Sequence, residues 1–239
     1  MPQRTRLYAA FTGELEDESL FRDLFACLPP VRRDKVTRMR PLSGKRQSLA
    51  AGALLMYALA REGHDMAALP MALGEFGKPY FPDLKETYVN LSHTDGLVLC
   101  ALSDHPVGCD AEGLIPGRLR VAERFYAPEE QDILKGIRDE GEKDLMFYRL
   151  WTLKESYIKA IGTGFSKAPE TYAIILPDTA LGRGGTPYLL EEPDRFSFRE
   201  YRIENFRCAL CLDGCLEEDI KIQEISLTTV RDKLYSMKG

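Results

Sequence analysis

The stretch LWTLKESYIKAIGTG, Leu150 to Gly164, carries the pattern on which the fold reading turns. At 100° per residue Leu150, Leu153, Tyr157 and Ile161 fall in one narrow stripe, with Ile158 at its edge, which predicts a helix with a buried face. Lys154 projects from the middle of that stripe, while Glu155 and Lys159, four residues apart, lie along a neighbouring edge. An ammonium in an apolar stripe is costly unless paired, although its long stem can snorkel outward. A bound anion would solve the problem. The pattern therefore predicts that this helix faces a cleft, and that Lys154 is a phosphate ligand or the partner of one.

Working outward, two or three helices are predicted over 118–126 and 128–161. Ahead of them, YVNLSHTDGLVLCALSDHPVGCDAEGL reads as strand, turn, strand, tight turn, strand. Residues 5–12 predict a first strand, and GKRQSLAAGALLMYALAREG a strong helix with Ser43 as its N-cap and Gly63 at its end. From Tyr172 onward, TYAIIL, FSFREYRI and FRCALCL read as short β runs. Each half thus holds a long helix and a group of strands. The fold class is α+β, two similar halves meeting near residue 104: 1–104 and 105–239.

Four groups of residues are suited to chemistry. In VGCDAE, Asp110 and Glu112 stand two apart on a strand and share a face. Two carboxylates there repel unless a cation or a base lies between them, and a hard ion such as Mg²⁺ takes one or two carboxylates plus substrate phosphates. A solvated strand edge is the plainer reading of that pattern alone. Glu155 and Lys159 form a favourable i,i+4 pair, worth ~0.3–0.5 kcal/mol if it is only a surface bridge. Ser92 and His93 end a strand in NLSHTDG, where the imidazole either binds phosphate or caps the turn. Lys78 sits between Gly77 and Pro79. Neither GxxxxGK[ST] nor GxGxxG occurs, so both standard phosphate loops are missing. Taken together, the lysines and histidine suit phosphates and the three acids suit a cation: a site for a pyrophosphate–Mg²⁺ substrate.

Composition limits the alternatives. The net charge is −5 and the pI about 5.4, which argues against a general nucleic-acid binder. A local basic cluster, VRRDKVTRMRPLSGKR, holds Asp34 as its one acid and reads as a solvated face or an anion site. No apolar run reaches the ~18 residues of a membrane helix, and the first residues lack the long apolar segment of a secretory signal. A cytoplasmic monomer is expected. Six cysteines with three distant histidines do not make a zinc pattern, so FRCALCL reads as a strand using cysteine as a small hydrophobe and disulfides are not expected.

GKP, NLSH, VGCDAE, RFYAPEE and WTLKESYIKAIGTG occur in the order seen in the 4'-phosphopantetheinyl transferases of the surfactin-synthetase-activating type, which this chain resembles from about Arg32 to Ile175. The joint presence of G-x-D-x-E and W-x-x-K-E-S-x-x-K is the specific part. The resemblance implies two pseudo-symmetric halves, each a small antiparallel sheet packed with a long helix, with coenzyme A and Mg²⁺ bound between them. It implies transfer of phosphopantetheine to a serine of an acyl or peptidyl carrier protein and release of adenosine 3',5'-bisphosphate. By the same resemblance Asp110, Glu112 and Glu155 would hold the metal and Lys159 would contact the pyrophosphate. Lys78, Pro79, Ser92 and His93 would line the coenzyme A site, Lys35, Arg46 and Ser48 would meet nucleotide phosphates, and Glu130 matches an acid assigned as general base. Cys109 and Thr94 depart from the usual residues. The carrier is expected to dock on GLIPGRLRVAERFY, through Arg118, Arg120, Arg124, Leu119 and Phe125, and on the start of GTGFSK with Lys167.

Overall fold

Alternation along the strands decides how the layers stack. A computed structural model describes residues 4–64, 69–75, 77–179, 182, 184–216 and 219–237. The first half runs β1 (Arg6–Phe11), α1 (Glu18–Cys27), α2 (Pro30–Arg38), α3 (Leu42–Arg61), β2 (Ala72–Leu73), β3 (Pro79–Tyr80), β4 (Tyr88–Thr94) and β5 (Leu97–Ser103). The second runs β6 (Val107–Gly113), α4 (Ala122–Phe125), α5 (Pro128–Gly136), α6 (Glu140–Ile161), β7 (Ile174–Ile175), β8 (Tyr188–Leu189), β9 (Phe196–Ile203) and β10 (Phe206–Asp213). β11 (Ile222–Glu224) and α7 (Leu227–Ser236) complete the chain.

The same order, strand, long helix, two-stranded ribbon, hairpin, occurs twice, consistent with the expected α+β class and its two similar halves. One sheet has the order β11-β1-β5-β4 and the other β6-β10-β9. On β5, Leu97, Leu99 and Ala101 point to one side and Val98, Cys100 and Leu102 to the other. The first set joins Val107, Cys109 and Ala111 of β6 and Cys208 and Leu210 of β10 in an apolar seam between the sheets. The second set packs with α3, whose residues from Ser48 to Ala60 are all buried. On the far side α6 covers β9 and β10. The result is four layers, helix, sheet, sheet, helix, with each sheet covered on both faces and its edge strands partly exposed.

Three features differ from the sequence reading. The C-terminal segment returns to the first half: β11 pairs parallel with β1, so that sheet is not wholly antiparallel. Leu227, Val230 and Leu234 of α7 enter the α3 core, so packing places residues 222–236 with the half assigned to 1–104. Ser226 caps α7 by accepting from Thr229 N–H, a start signal with i,i+3,i+7 apolar spacing that the β reading of this region overlooked. Finally, α3 begins at Leu42 after Pro41, so Ser43 lies inside the helix rather than capping it. All six cysteines are free, five of them buried. No described helix is long and apolar enough to cross a membrane.

Candidate functional site

The site forms where the edge strand β4 of one sheet meets the edge strand β6 of the other. Side chains stand in for a strand ladder here: Asn90 Oδ1 accepts from Cys109 N–H at 2.8 Å, and Ser92 Oγ accepts from Ala111 N–H at 3.3 Å. With Val107, Cys109 and Ala111 committed to the seam, the alternation turns Gly108, Asp110 and Glu112 toward α6. Gly108 lets the helix touch the strand. A Cβ at that position would lie 2.0 Å from the Ser156 carbonyl oxygen and 2.4 Å from Ala160 N, so no other residue fits without moving the backbone.

That approach brings Lys159 to Asp110. Its ammonium lies 2.5 Å from Asp110 Oδ1 and 3.0 Å from Ser92 Oγ, and Ser92 itself donates to Asp110 Oδ1 at 2.8 Å. Burial pulls the Lys159 pKa down, but Asp110 and then Cys109 outweigh it and hold it above the usual lysine value. Asp110 is 3% exposed, and its Oδ2 has no hydrogen-bond partner among the described residues. Glu155 stands one turn before Lys159 on α6. Burial, then Asp110, pushes its pKa up to about 7 against the opposing pull of Lys159, and Glu112 adds to the rise. Glu112 is raised as well, by burial and then by Asp110, although the Trp151 indole donates to it.

No three metal-ligating side chains among the described residues form a finished cage. Asp110, Glu112 and Glu155 share a field rather than a formed coordination sphere. Two half-buried acids forced toward neutrality beside an unpartnered carboxylate oxygen fit a divalent cation on charge and donor type.

A cleft of about 600 Å³ opens beyond Lys159, between α2 and α3 on one side and the end of α6 on the other. Lys35, Ser48, Lys78, Pro79, His93 and Lys159 all line it, and so do Arg32 and Arg38. Two of its buried donors lack partners among the described residues, Arg32 Nε and Ser48 Oγ. Burial lowers the pKa of Arg32 and, with Arg32 beside it, that of Lys35. Partial desolvation also lowers His93, followed by the nearby Lys159, Lys35 and Arg32. Asp34 is the one acid on a wall that also carries Arg32, Lys35, Arg38, Lys78 and Lys159, an excess of positive charge that suits an anion. Arg32 was visible in the sequence only as one member of a basic run, and Asn90 only as the residue sharing a strand face with Ser92.

Two expected ligands are placed elsewhere, and a third is engaged by backbone carbonyls. Lys154 is sealed in the core. Its ammonium donates to Glu130 Oε1 and Oε2 at 2.9 and 2.7 Å and to the Tyr172 carbonyl at 2.7 Å, and it sits 4.2 Å from the centre of the Tyr172 ring. Glu130, 0% exposed, also accepts from Ala127 and Ile174 N–H. Each is the other's counter-ion. The lysine in the apolar stripe is thus paired inside the protein rather than exposed at its head, and Glu130 is sealed from solvent with it. Arg46 turns to Glu16 at 3.1 Å and is not part of the cleft wall. Lys78 borders the cleft, but its ammonium is bonded to backbone carbonyls.

On the expected docking stretch Arg118, Arg120 and Arg124 are exposed. Leu119 is half-buried against the α6 core, and Phe125 packs edge-on to Trp151 at 5.9 Å.

Known proteins share much of this sequence. The model of the 4'-phosphopantetheinyl transferase superfamily matches residues 106–211, the span that holds β6, α6 and β10. A 4'-phosphopantetheinyl transferase of Bacillus subtilis is 32% identical over 156 residues, 65% of this chain and 69% of its own length. The 4'-phosphopantetheinyl transferase psf-1 of Bacillus pumilus is 32% identical over 182 residues, 72% of this chain and 76% of its own. The 4'-phosphopantetheinyl transferase Sfp of Bacillus subtilis (strain 168) is 32% identical over 151 residues, 62% of this chain and 66% of its own.

Proposed function

This chain belongs to the 4'-phosphopantetheinyl transferase superfamily, and on that premise we infer that it moves the 4'-phosphopantetheine group of coenzyme A onto a serine of an acyl or peptidyl carrier protein. One observation carries the reading: a cleft whose wall is rich in cations runs up to Lys159, and three carboxylates stand close behind it. A nucleotide pyrophosphate matches the first part, and the second has the donors that would hold a divalent cation.

In this reading Arg32, Lys35, Ser48 and His93 hold the nucleotide phosphates, and Arg32 Nε and Ser48 Oγ gain the partners they lack. Lys78 and Pro79 border the same cleft. Asp110, Glu112 and Glu155 are the residues that would hold Mg²⁺, which when bound would neutralise charge on the pyrophosphate. Ser92 fixes the Asp110 carboxylate by donating to it. Lys159, already beside Asp110, places a positive charge at the head of the cleft, where charge develops as the serine oxygen bonds to the phosphorus bearing the pantetheine arm. The bond from that phosphorus to the nucleotide half breaks, and adenosine 3',5'-bisphosphate leaves. With Glu130 closed off, Glu155 is the carboxylate left at the head of the cleft to take the serine proton, although a bound cation would lower its basicity.

Incubating the chain with coenzyme A, Mg²⁺ and an apo carrier protein tests the reading. Mass spectrometry of the carrier should show the addition of one phosphopantetheine at its serine. Inorganic phosphate release with an unmodified carrier would instead identify a phosphohydrolase.

A further inference from the structure

Lys78 is expected to serve the cleft through its charge, yet all three of its ammonium protons are already used. Nζ donates to the carbonyls of Lys159 at 2.6 Å, Val107 at 2.9 Å and Ala160 at 3.2 Å. An ammonium has three donors, so none remains for a phosphate. Two of the acceptors are among the final carbonyls of α6, which lack partners within a helix, and the third opens β6. α6 and β6 carry Lys159, Glu155, Asp110 and Glu112, whereas Lys78 comes from the other half, between β2 and β3. Its stem also forms part of the partition between the 600 Å³ cleft and a neighbouring cleft of about 480 Å³, and its Cδ lies 3.7 Å from the Cβ position of Gly162, where α6 ends at φ 70°.

We propose that Lys78 is a positioning residue: by capping the last turn of α6 from the opposite half, it holds Lys159 against Asp110 and Ser92. A cation at a helix C-terminus is favoured by the peptide dipoles. The link to the chemistry is short, because the carbonyl that Lys78 holds most closely belongs to Lys159 itself. Gly108 fixes the distance between strand and helix, and Lys78 fixes where the helix stops. No carboxylate pairs with this ammonium among the described residues, and burial pushes its pKa down to about 8. A charge kept in place against desolvation, with no acid to offset it, is poorly explained by stability alone.

This inference rests on the transferase reading, so its test combines measurements made with and without turnover. Full-length wild type, Lys78→Met, Lys78→Gln and the control Lys85→Met are compared by amide hydrogen exchange in the absence of ligand. Affinity for adenosine 3',5'-bisphosphate is read by calorimetry, and kcat and KM are read with coenzyme A and an apo carrier. For Lys78→Met we expect exchange at the end of α6 and in Gly162–Gly164 to quicken roughly tenfold while the rest of the chain keeps its protection. Affinity should stay within about twofold, and kcat should fall by roughly ten- to a hundredfold with little change in KM. Lys78→Gln, which keeps a donor, should fall between Met and wild type, and Lys85→Met should match wild type. A tenfold loss of affinity with unchanged exchange would make Lys78 a ligand. Loss of protection throughout the chain in both variants would make it a residue of the fold alone. Either result overturns the proposal, as would full activity in Lys78→Met. If the wild type fails to transfer, the function falls, while the exchange comparison still decides whether Lys78 caps α6.

Discussion

Replacing Lys154 by methionine keeps the length and most of the volume of the side chain and removes only the charge. On an apolar stripe that exchange reads as harmless. The structure predicts the opposite, because Glu130 is 0% exposed and Lys154 is its counter-ion. Breaking a buried pair by removing one partner costs about 3–5 kcal/mol. For a chain of this size each kcal/mol moves the melting temperature by roughly 2–4 °C, so Lys154→Met should melt about 6–20 °C below wild type. Glu130 then has an incentive to bind a proton. Burial already raises its pKa, and loss of Lys154 raises it further. The folded variant therefore binds more protons than the unfolded chain between the ordinary carboxylate pKa and the raised one, and its stability falls as pH rises through that window. Urea unfolding at pH 5 and pH 8 should show a larger deficit against wild type at pH 8. Adding Glu130→Gln to Lys154→Met removes the unpaired charge while leaving an acceptor for Ile174 N–H, and it should recover part of the loss. A variant as stable as wild type but with weakened coenzyme A binding would refute the core pairing and return Lys154 to the cleft.

Gly108→Ala should lose several kcal/mol or force α6 off β6, since the added methyl meets backbone at 2.0 Å rather than a yielding side chain; unchanged melting and turnover would show that the strand and helix are not in contact. Asp110→Ala should stay folded by circular dichroism and lose nearly all turnover, because Lys159 and the cation would lose a shared ligand. Normal turnover would remove Asp110 from the site. In wild type kcat should decline as pH passes about 8, where Lys78 loses its proton, and this limb should be missing from Lys78→Met. The facing thiols titrate higher, Cys109 near 12 and Cys211 well above its usual value, so a limb that persists in the variant would belong to another group.

The strands around Asp110 were legible because tight turns mark their ends and β5, buried on both faces, reads as a continuous apolar run between them. The grouping of the acids followed from local periods: on the strand Asp110 and Glu112 had to share a face, and on the helix Glu155 and Lys159 one edge. What the sequence concealed were partnerships between distant segments. Lys154 looked like a ligand because its partner lies 24 residues away on another helix, and periodicity says nothing of which elements meet. Lys78 looked like a phosphate residue because its acceptors are backbone carbonyls, which have no residue signature. α7 was missed since the helix after its cap is only ten residues long, too short for the helical period to stand out from neighbouring β patterns. The cleft's basic wall was legible as a cluster, but which of its members face inward was decided by packing: Arg32 and Lys35 do, while Arg46 is drawn off by Glu16.

The central claim is that one turnover splits coenzyme A between a carrier protein and a free nucleotide. Quantifying both products in the same quenched reaction tests it most directly, by chromatography for adenosine 3',5'-bisphosphate and mass spectrometry for the carrier, with and without Mg²⁺. The account predicts equal molar amounts of nucleotide and modified carrier, formed together at the same rate and only when the divalent cation is present. Nucleotide released without modified carrier, or modified carrier formed undiminished after removal of the cation by chelation, would contradict it.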